Sequence, residues 1–273
     1  MLLAYIALSS AAATPDAAAT PPAPLVAPSS EPSIEQRIAQ ASNIGGLLFR
    51  FDRAAWVSAD ALTAAIPKDR LAGAGGYIVE PADAQTLRVT YYRGTAAEAQ
   101  AFFVADVRDN KVVHQEILAQ PVALTATQAV FARARDVAAQ RARERSYKPC
   151  TPAPFNTVVL PSRNGGPVAV YLLSAQQDAG TYPMGGHYRV IVAPDGQVLA
   201  SRPYSVGCLN MPLPKLPPGA TPVGLMVTHL LDPIPTEIHV FASYSLGMPL
   251  FVATPDKRLW QVQGRAITLS TAK

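Results

Sequence analysis

The sequence is poor in charged and aromatic side chains. Charged residues make up 15% and aromatic residues 7% of its 273 residues, and the formal net charge is only +4. An excess of positive charge this small does not indicate a nucleic-acid partner. No apolar stretch reaches the roughly 18 residues that a transmembrane helix needs, so we expect no membrane span.

The short motifs of the common catalytic machines are also missing. The sequence contains no G-x-S-x-G elbow, no H-E-x-x-H pair, no P-loop and no G-x-G-x-x-G turn. Each of these motifs fixes a nucleophile, a metal ion or a phosphate in a defined local geometry. Their absence argues against the enzyme classes built on them, and it favours a protein without catalytic or cofactor-binding residues.

Cysteine is scarce, because Cys150 and Cys208 are the only two in the chain. Neither belongs to a C-x-x-C motif, so a thiol redox centre or a zinc ribbon has no support. In an oxidising compartment the two side chains would pair, and we predict a disulfide between them. A pair of buried thiols is the alternative.

Alanine and proline, by contrast, are abundant near the start of the chain. Residues 1–13 combine a short apolar run with small residues, which is typical of a secretory signal peptide. Residues 14–33 are rich in Pro, Ala and Ser, and they predict a disordered linker. We therefore expect a periplasmic or secreted protein. A disordered Ala-rich tail is the alternative reading of the first segment.

Residues 34–121 predict a first α+β unit. The apolar spacing after Ile34 favours a short helix that ends at Gly45-Gly46. Three later runs rich in Val, Tyr, Phe and Thr indicate strands. Asp109-Asn110 separates the last of these runs from the next one and is typical of a hairpin turn.

Residues 122–273 predict a second α+β unit. It starts with a helix whose cap is Thr125, and a second helix begins at Thr236 and ends at Gly247. Strand-like runs with hairpin turns fill the rest. The fold class expected for the chain is therefore α+β, with two mostly antiparallel β-rich units and packed helices.

Part of the second unit, residues 223–262, resembles the second half of the JAB/MPN (JAMM-like) metallopeptidase domain. The match consists of His229 at a strand end and Pro235-Thr236 at a helix start, followed by a helix and a strand. The resemblance implies a strand–helix–strand arrangement. In active members of that family, two His and an Asp bind zinc, and an upstream Glu is the general base.

This sequence departs from the family pattern at the residues that carry the chemistry. Val227 stands where the family has its first His, and His239 stands where it has the Asp. Residues 146–235 contain no Glu that would take the role of the base. The resemblance therefore implies a degenerate, non-catalytic version of the domain.

A metal site built on His229 and His239 is the alternative that the residues leave open. Two imidazoles supply half of a tetrahedral zinc site, and Asp232 or His187 would have to supply a third ligand. That reading implies a metal-dependent hydrolase with an atypical His-based site. The interpretation we favour is an exported, soluble, non-catalytic binding or structural module of the cell envelope, whose partner is an envelope protein or a ligand.

Overall fold

A computed structural model describes residues 31–270 of the chain, apart from residues 97, 163, 216, 218 and 221. The predicted signal peptide, residues 1–13, and residues 14–30 of the predicted linker lie outside the described residues. From Ser33 onward the chain forms one compact unit. The boundary expected near residue 121 falls inside this unit.

The first element is a long helix, α1, which spans Ile34–Ala65. Ser33 caps it reciprocally with Gln36. The Gln36 amide donates to the Ser33 hydroxyl over 3.2 Å, and the Ser33 amide donates to the Gln36 side chain over 2.9 Å. This capping box satisfies two amides that a helix start otherwise leaves unpaired.

The predicted end of this helix at Gly45-Gly46 is wrong, because α1 continues through both glycines. The reason is tertiary packing against a later helix, α3, which spans Glu237–Leu246. A Cβ atom on Gly45 would lie 2.5 Å from the Cβ of Val240 and 2.6 Å from the carbonyl oxygen of Glu237. Glycine at this position therefore permits close helix contact and does not terminate the helix.

Four antiparallel strands in sequence order follow a 3-10 turn at Lys68–Leu71. They are β1 (Ala74–Pro81), β2 (Leu87–Arg93), β3 (Gln100–Arg108) and β4 (Lys111–Ala123). Asp109 and Asn110 join β3 to β4 with φ angles of 50° and 59°. Two successive positive φ angles are what a two-residue hairpin turn requires, so the predicted turn is confirmed.

The second helix, α2, spans Ala126–Glu144 and leads into a second four-stranded antiparallel sheet. Thr125 caps α2 with Gln128, as the sequence predicted. The sheet has the order β5-β6-β8-β9, and a two-stranded sheet pairs β7 with β10. These strands are β5 (Asn156–Leu160), β6 (Val168–Leu173), β7 (Thr181–Pro183), β8 (Tyr188–Val192), β9 (Val198–Pro203) and β10 (Asn210–Pro212).

The last sheet contains one parallel pair. Its strands are β11 (Leu225–Thr228), β12 (Leu250–Ala253), β13 (Leu259–Gln263) and β14 (Ala266–Leu269), in that order. The β11 and β12 strands pair in parallel because α3 crosses between them, and the other pairs are antiparallel. As predicted, Thr236 precedes α3 and Gly247 ends it in the left-handed conformation. The α+β fold class is confirmed.

Three hydrophobic cores hold the helices and sheets together. The first lies between α1, α3 and facing sides of the first two four-stranded sheets, with Leu48, Phe103 and Tyr171 fully buried. The second packs α2 against the other side of the β5-β6-β8-β9 sheet and against β1 and β2. The third packs α3 and the start of α1 on the last sheet. Because α1 and α3 contribute to two cores each, their mutual contact positions the sheets.

A disulfide joins Cys150, after α2, to Cys208, after β9, with a Cα–Cα distance of 5.2 Å. This is the pairing that the sequence predicted. The chain at Gly186 passes directly beneath it, since a Cβ atom there would lie 2.7 Å from the sulfur of Cys150. None of the helices among residues 31–270, as far as they are described, is long and apolar enough to cross a membrane.

The close contact between α1 and α3 predicts a large loss of stability on substitution of Gly45 and a small change on substitution of Gly46. Gly45→Ala should lower the free energy of unfolding by about 2 kcal/mol or more, since its methyl group meets backbone and a β-branched side chain. Gly46→Ala is the matched control. Its methyl group meets only the flexible end of Arg265, so the helix propensity of Ala should offset the cost to within about 1 kcal/mol. Urea unfolding measures both, and equal values for the two variants would contradict this packing.

The disulfide predicts that stability depends on redox conditions. Its cysteines are 58 residues apart, and closing a loop of that length stabilises a fold by up to roughly 4 kcal/mol in the chain-entropy model. Dithiothreitol should therefore shift urea unfolding to lower concentration. The double variant Cys150→Ser/Cys208→Ser should already unfold there and should not respond to the reductant. An unchanged midpoint for the wild-type protein would argue against the bond.

Candidate functional site

The structure brings His229 and His239 together at the N-terminal end of α3. Their ring centroids are 4.6 Å apart and the rings meet edge to face. The ring of His187 is held by other groups, since its Nδ1 accepts from the Ser174 amide at 3.2 Å and its Nε2 donates to the Pro183 carbonyl at 2.9 Å. Burial lowers the pKa of His187 to about 4, so this ring is neutral at pH 7.

Asp232, the third ligand considered from the sequence, is bound by protein side chains. His229 Nε2 lies 2.9 Å from one carboxylate oxygen, and Arg202 donates to both oxygens. Burial alone would raise the pKa of Asp232, but the hydrogen bonds from His229 and Arg202 hold it well below its usual value. Asp232 therefore remains a carboxylate and forms a half-buried ion pair with Arg202.

His239 is fixed as a neutral ring. Its Nδ1 accepts from the Thr236 amide at 3.0 Å, which places the ring proton on Nε2. Burial, together with the neighbouring His229, lowers the pKa of His239 to about 3. The ring thereby completes a capping box at the start of α3.

Zinc at the histidine pair stays an untested alternative to the favoured interpretation without a metal. Asp232 uses both oxygens for Arg202 and His229, and the described part of the chain contains no group of three His, Cys, Asp or Glu side chains placed to hold a metal ion. The resemblance of residues 223–262 to the JAB/MPN domain also stays a prediction.

A second polar cluster, which the sequence did not reveal, surrounds Glu237 in the first turn of α3. Its Oε1 accepts hydrogen bonds from Tyr171 at 2.8 Å, from Arg189 at 3.0 Å and from Tyr204. Glu237 is only 7% exposed, so the desolvation cost of its carboxylate has to be offset by these hydrogen-bonding partners. All of the donors come from the second four-stranded sheet or its end, and the cluster fastens α3 to that sheet.

A different kind of site lies where α1 passes α3: a cleft of about 690 Å³. We call it the aromatic cleft. One face of α1 forms a wall with Phe49, Asp52, Arg53 and Trp56, whose helical spacing puts them on one side. The rest of the lining comes from the β3–β4 turn, the strands β5 to β7 with their loops, and α3, namely Asn110, Asn156, Leu173, Ser174, Gln176, Gln177, Asp178, Ala179, Tyr182, Pro183, Phe241, Tyr244 and Ser245.

Asp52 is the unusual group in this cleft. It is half-buried, and the described part of the chain offers its carboxyl group no hydrogen bond or ion pair. Burial raises the pKa of Asp52 to about 6, and the nearby charge of Arg53 opposes that rise only in part. A buried carboxylate left without a partner is costly, and such groups are concentrated at functional sites.

Aromatic rings line the walls around this carboxyl group. Phe49 stacks on Tyr244 with centroids 5.1 Å apart, which joins the two helices at the cleft. Trp56 is 55% exposed, and the guanidinium of Arg53 lies 3.9 Å from its ring centroid. A concave surface with aromatic walls and a few polar groups is the usual form of a small-ligand site.

A second basin of about 530 Å³ continues from the aromatic cleft past Phe49, Asn110 and Tyr244, which line both. We call it the basic basin, because Arg50 and Arg265 line it together with one carboxylate, Asp109, and with Gly46, Ala54, Ala84, Gln85, Leu87 and Val107. The described part of the chain provides no ion-pair partner for either arginine. Among the lining side chains, the aromatic cleft therefore has an excess of one negative charge and the basic basin has an excess of one positive charge.

Comparison with known proteins adds little. No protein-family model and no curated protein matches the sequence. A crystal structure of a candidate lipoprotein from Clostridium difficile is similar over 53% of this chain and 91% of that chain, with 14% sequence identity and a TM-score of 0.17. A TM-score this low supports no argument about the function of this chain.

The unpartnered carboxyl group predicts that Asp52→Asn stabilises the protein at neutral pH. The pKa of Asp52 is higher in the folded chain than the value near 3.9 expected after unfolding, so the folded state binds more protons between about pH 4 and 6. The contribution of Asp52 to stability therefore falls as the pH rises through that window. At pH 7.5 the variant should gain about 1–2 kcal/mol, and near pH 4 the gain should vanish.

Urea unfolding of wild type and variant at both pH values measures this difference. Asp60→Asn, on an exposed position of the same helix, is the matched control and should change stability by less than about 0.5 kcal/mol. If Asp52→Asn destabilised the fold at pH 7.5, the carboxylate would have a structural partner, contrary to the arrangement described here.

Proposed function

We propose that this protein is an exported, non-catalytic binding module of the cell envelope, and that its ligand occupies the aromatic cleft. The observation that carries the proposal is the half-buried, unpartnered Asp52 carboxyl group among aromatic rings in a cleft of about 690 Å³. A ligand that supplied the missing partner would recover the desolvation cost of this carboxylate.

The contrast with the other buried polar groups supports this assignment. Glu237 and Asp232 have arginine partners and several hydrogen bonds, so their charges are compensated within the fold. Asp52 has no such compensation. Compensated clusters stabilise a structure, whereas a protein tolerates an uncompensated group where it serves binding.

The envelope location is supported by two features. The disulfide Cys150–Cys208 suits an oxidising compartment, since cytosolic thiols are normally kept reduced. Residues 1–13 have the composition of a secretory signal peptide.

The two tryptophans make occupancy of the aromatic cleft measurable. Trp56 lines the cleft and is 55% exposed, whereas Trp260 is buried in the third core at 3% exposure. A ligand in the cleft should shift or quench Trp56 emission and leave Trp260 emission unchanged. We expect this response from at least one low-molecular-weight fraction of an envelope extract, and we expect it to be absent in Trp56→Phe.

Two outcomes of this titration would count against the proposal. One is the absence of any emission change across the extract fractions and a library of small polar compounds. The other is a change that persists in Trp56→Phe, because it would then arise at Trp260 and away from the cleft. Asp52→Asn should weaken the response of any true ligand.

A further inference from the structure

We infer that the ligand of the aromatic cleft is a short, unblocked peptide, whose terminal ammonium group binds beside Asp52 and whose terminal carboxylate reaches Arg265 and Arg50 in the basic basin. This inference rests on the proposed function of the cleft. It is supported by the charge at each end, by the aromatic rings that line both basins, and by the helical rise between Gly46 and Asp52.

The charged groups of the aromatic cleft suit the ammonium end of the peptide. The carboxyl group of Asp52 makes no hydrogen bond or ion pair among the described residues, although Arg53 lies near it, and Asp178 lines the same cleft with one oxygen already accepting from the Gly180 amide at 2.7 Å. Among the described residues that line the cleft, the one cationic side chain is Arg53, and its guanidinium lies over the ring of Trp56. A primary ammonium donates three hydrogen bonds and can also lie against aromatic faces. The raised pKa of Asp52 fits a group that gains from a cationic partner.

The charged groups of the basic basin suit the carboxylate end of the peptide. Two arginines and one aspartate line the basic basin, which leaves an excess of one positive charge. The described residues provide neither Arg50 nor Arg265 with an ion-pair partner. Arginine presents a planar set of donors that matches a carboxylate in a bidentate arrangement. An anionic group of the ligand is therefore expected in this basin.

The positions of Arg265 and Asp52 along α1 set the length of the peptide. The side chain of Arg265 crosses α1 at Gly46, since a Cβ atom there would lie 2.8 Å from its Nε. Asp52 lies six positions further along the same helix, which corresponds to about 9 Å along the axis and about 120° around it. The axial rise is therefore the smallest separation of these two helix positions, and three extended residues span roughly 10 Å. A tripeptide thus covers the axial separation across Phe49 and Tyr244, which line both basins, and the long side chains of Arg50 and Arg265 must extend toward its carboxylate.

Trialanine and its two blocked forms test this inference on the full chain. N-acetyl-trialanine keeps the carboxylate and lacks the ammonium, and trialanine amide keeps the ammonium and lacks the carboxylate. Dissociation constants come from Trp56 emission and from calorimetry. We expect trialanine to bind, and each block should raise its dissociation constant by about tenfold or more.

Variants assign each end of the peptide to its side chain. Asp52→Asn should weaken trialanine and its amide by about tenfold, and it should leave the acetylated peptide unchanged. Arg265→Met should weaken the peptides that carry a free carboxylate and leave the amide unchanged. Asp60→Asn and Arg143→Met, at exposed positions outside both basins, are the charge-matched controls and should change neither constant.

Equal binding of blocked and free peptides would overturn the inference, as would an absence of trialanine binding at concentrations on the order of 10 mM. If Trp56 still responded to a fraction of the extract in that case, the cleft would remain a binding site and only the peptide assignment would fall. If no compound of any kind changed Trp56 emission, the proposed function itself would fall. Circular dichroism of each variant confirms that the fold is retained.

Discussion

The architecture depends on the close approach of two helices that are far apart in sequence. At Gly45 the backbone of α1 touches Val240 and the carbonyl oxygen of Glu237, and a side chain there would not fit. This contact brings the first and third cores side by side, because α1 and α3 contribute to both. It also places Phe49 against Tyr244, so the aromatic cleft is a direct product of the same approach.

The buried polar groups fall into two classes with different physical roles. Glu237 accepts from two tyrosines and an arginine, and Asp232 joins Arg202 and His229. Compensated groups of this kind specify how α3 sits on the sheets. Asp52 makes no hydrogen bond or ion pair among the described residues, and it lines the aromatic cleft. The fold accepts the unfavourable energy of an unpartnered carboxylate at Asp52, which is where a ligand is expected. The buried hydroxyl of Tyr92 also lacks a hydrogen-bond partner among the described residues.

Local signals predicted most of the elements, but not the site. Thr125 with Gln128, Asp109 with Asn110, and Gly247 each act within a few residues, so capping and turn rules identified them correctly. Gly45 was misread because a helix-ending glycine and a helix-packing glycine look alike until the partner helix is known. Asp52 and Trp56 were missed for the same reason. Their spacing is that of a solvated helix face, and only tertiary structure shows that this face borders a cavity.

The separation of α1 and α3 along the chain also bears on how the molecule is made. Helix α1 is synthesised early, yet its packing partner at Val240 is added almost two hundred residues later. Contacts of such long range are slow to form, because the intervening chain must be ordered first. A nascent chain that has not reached α3 leaves the surface of α1 around Gly45 uncovered. The incomplete chain is therefore the stage at which apolar surface is most exposed to aggregation.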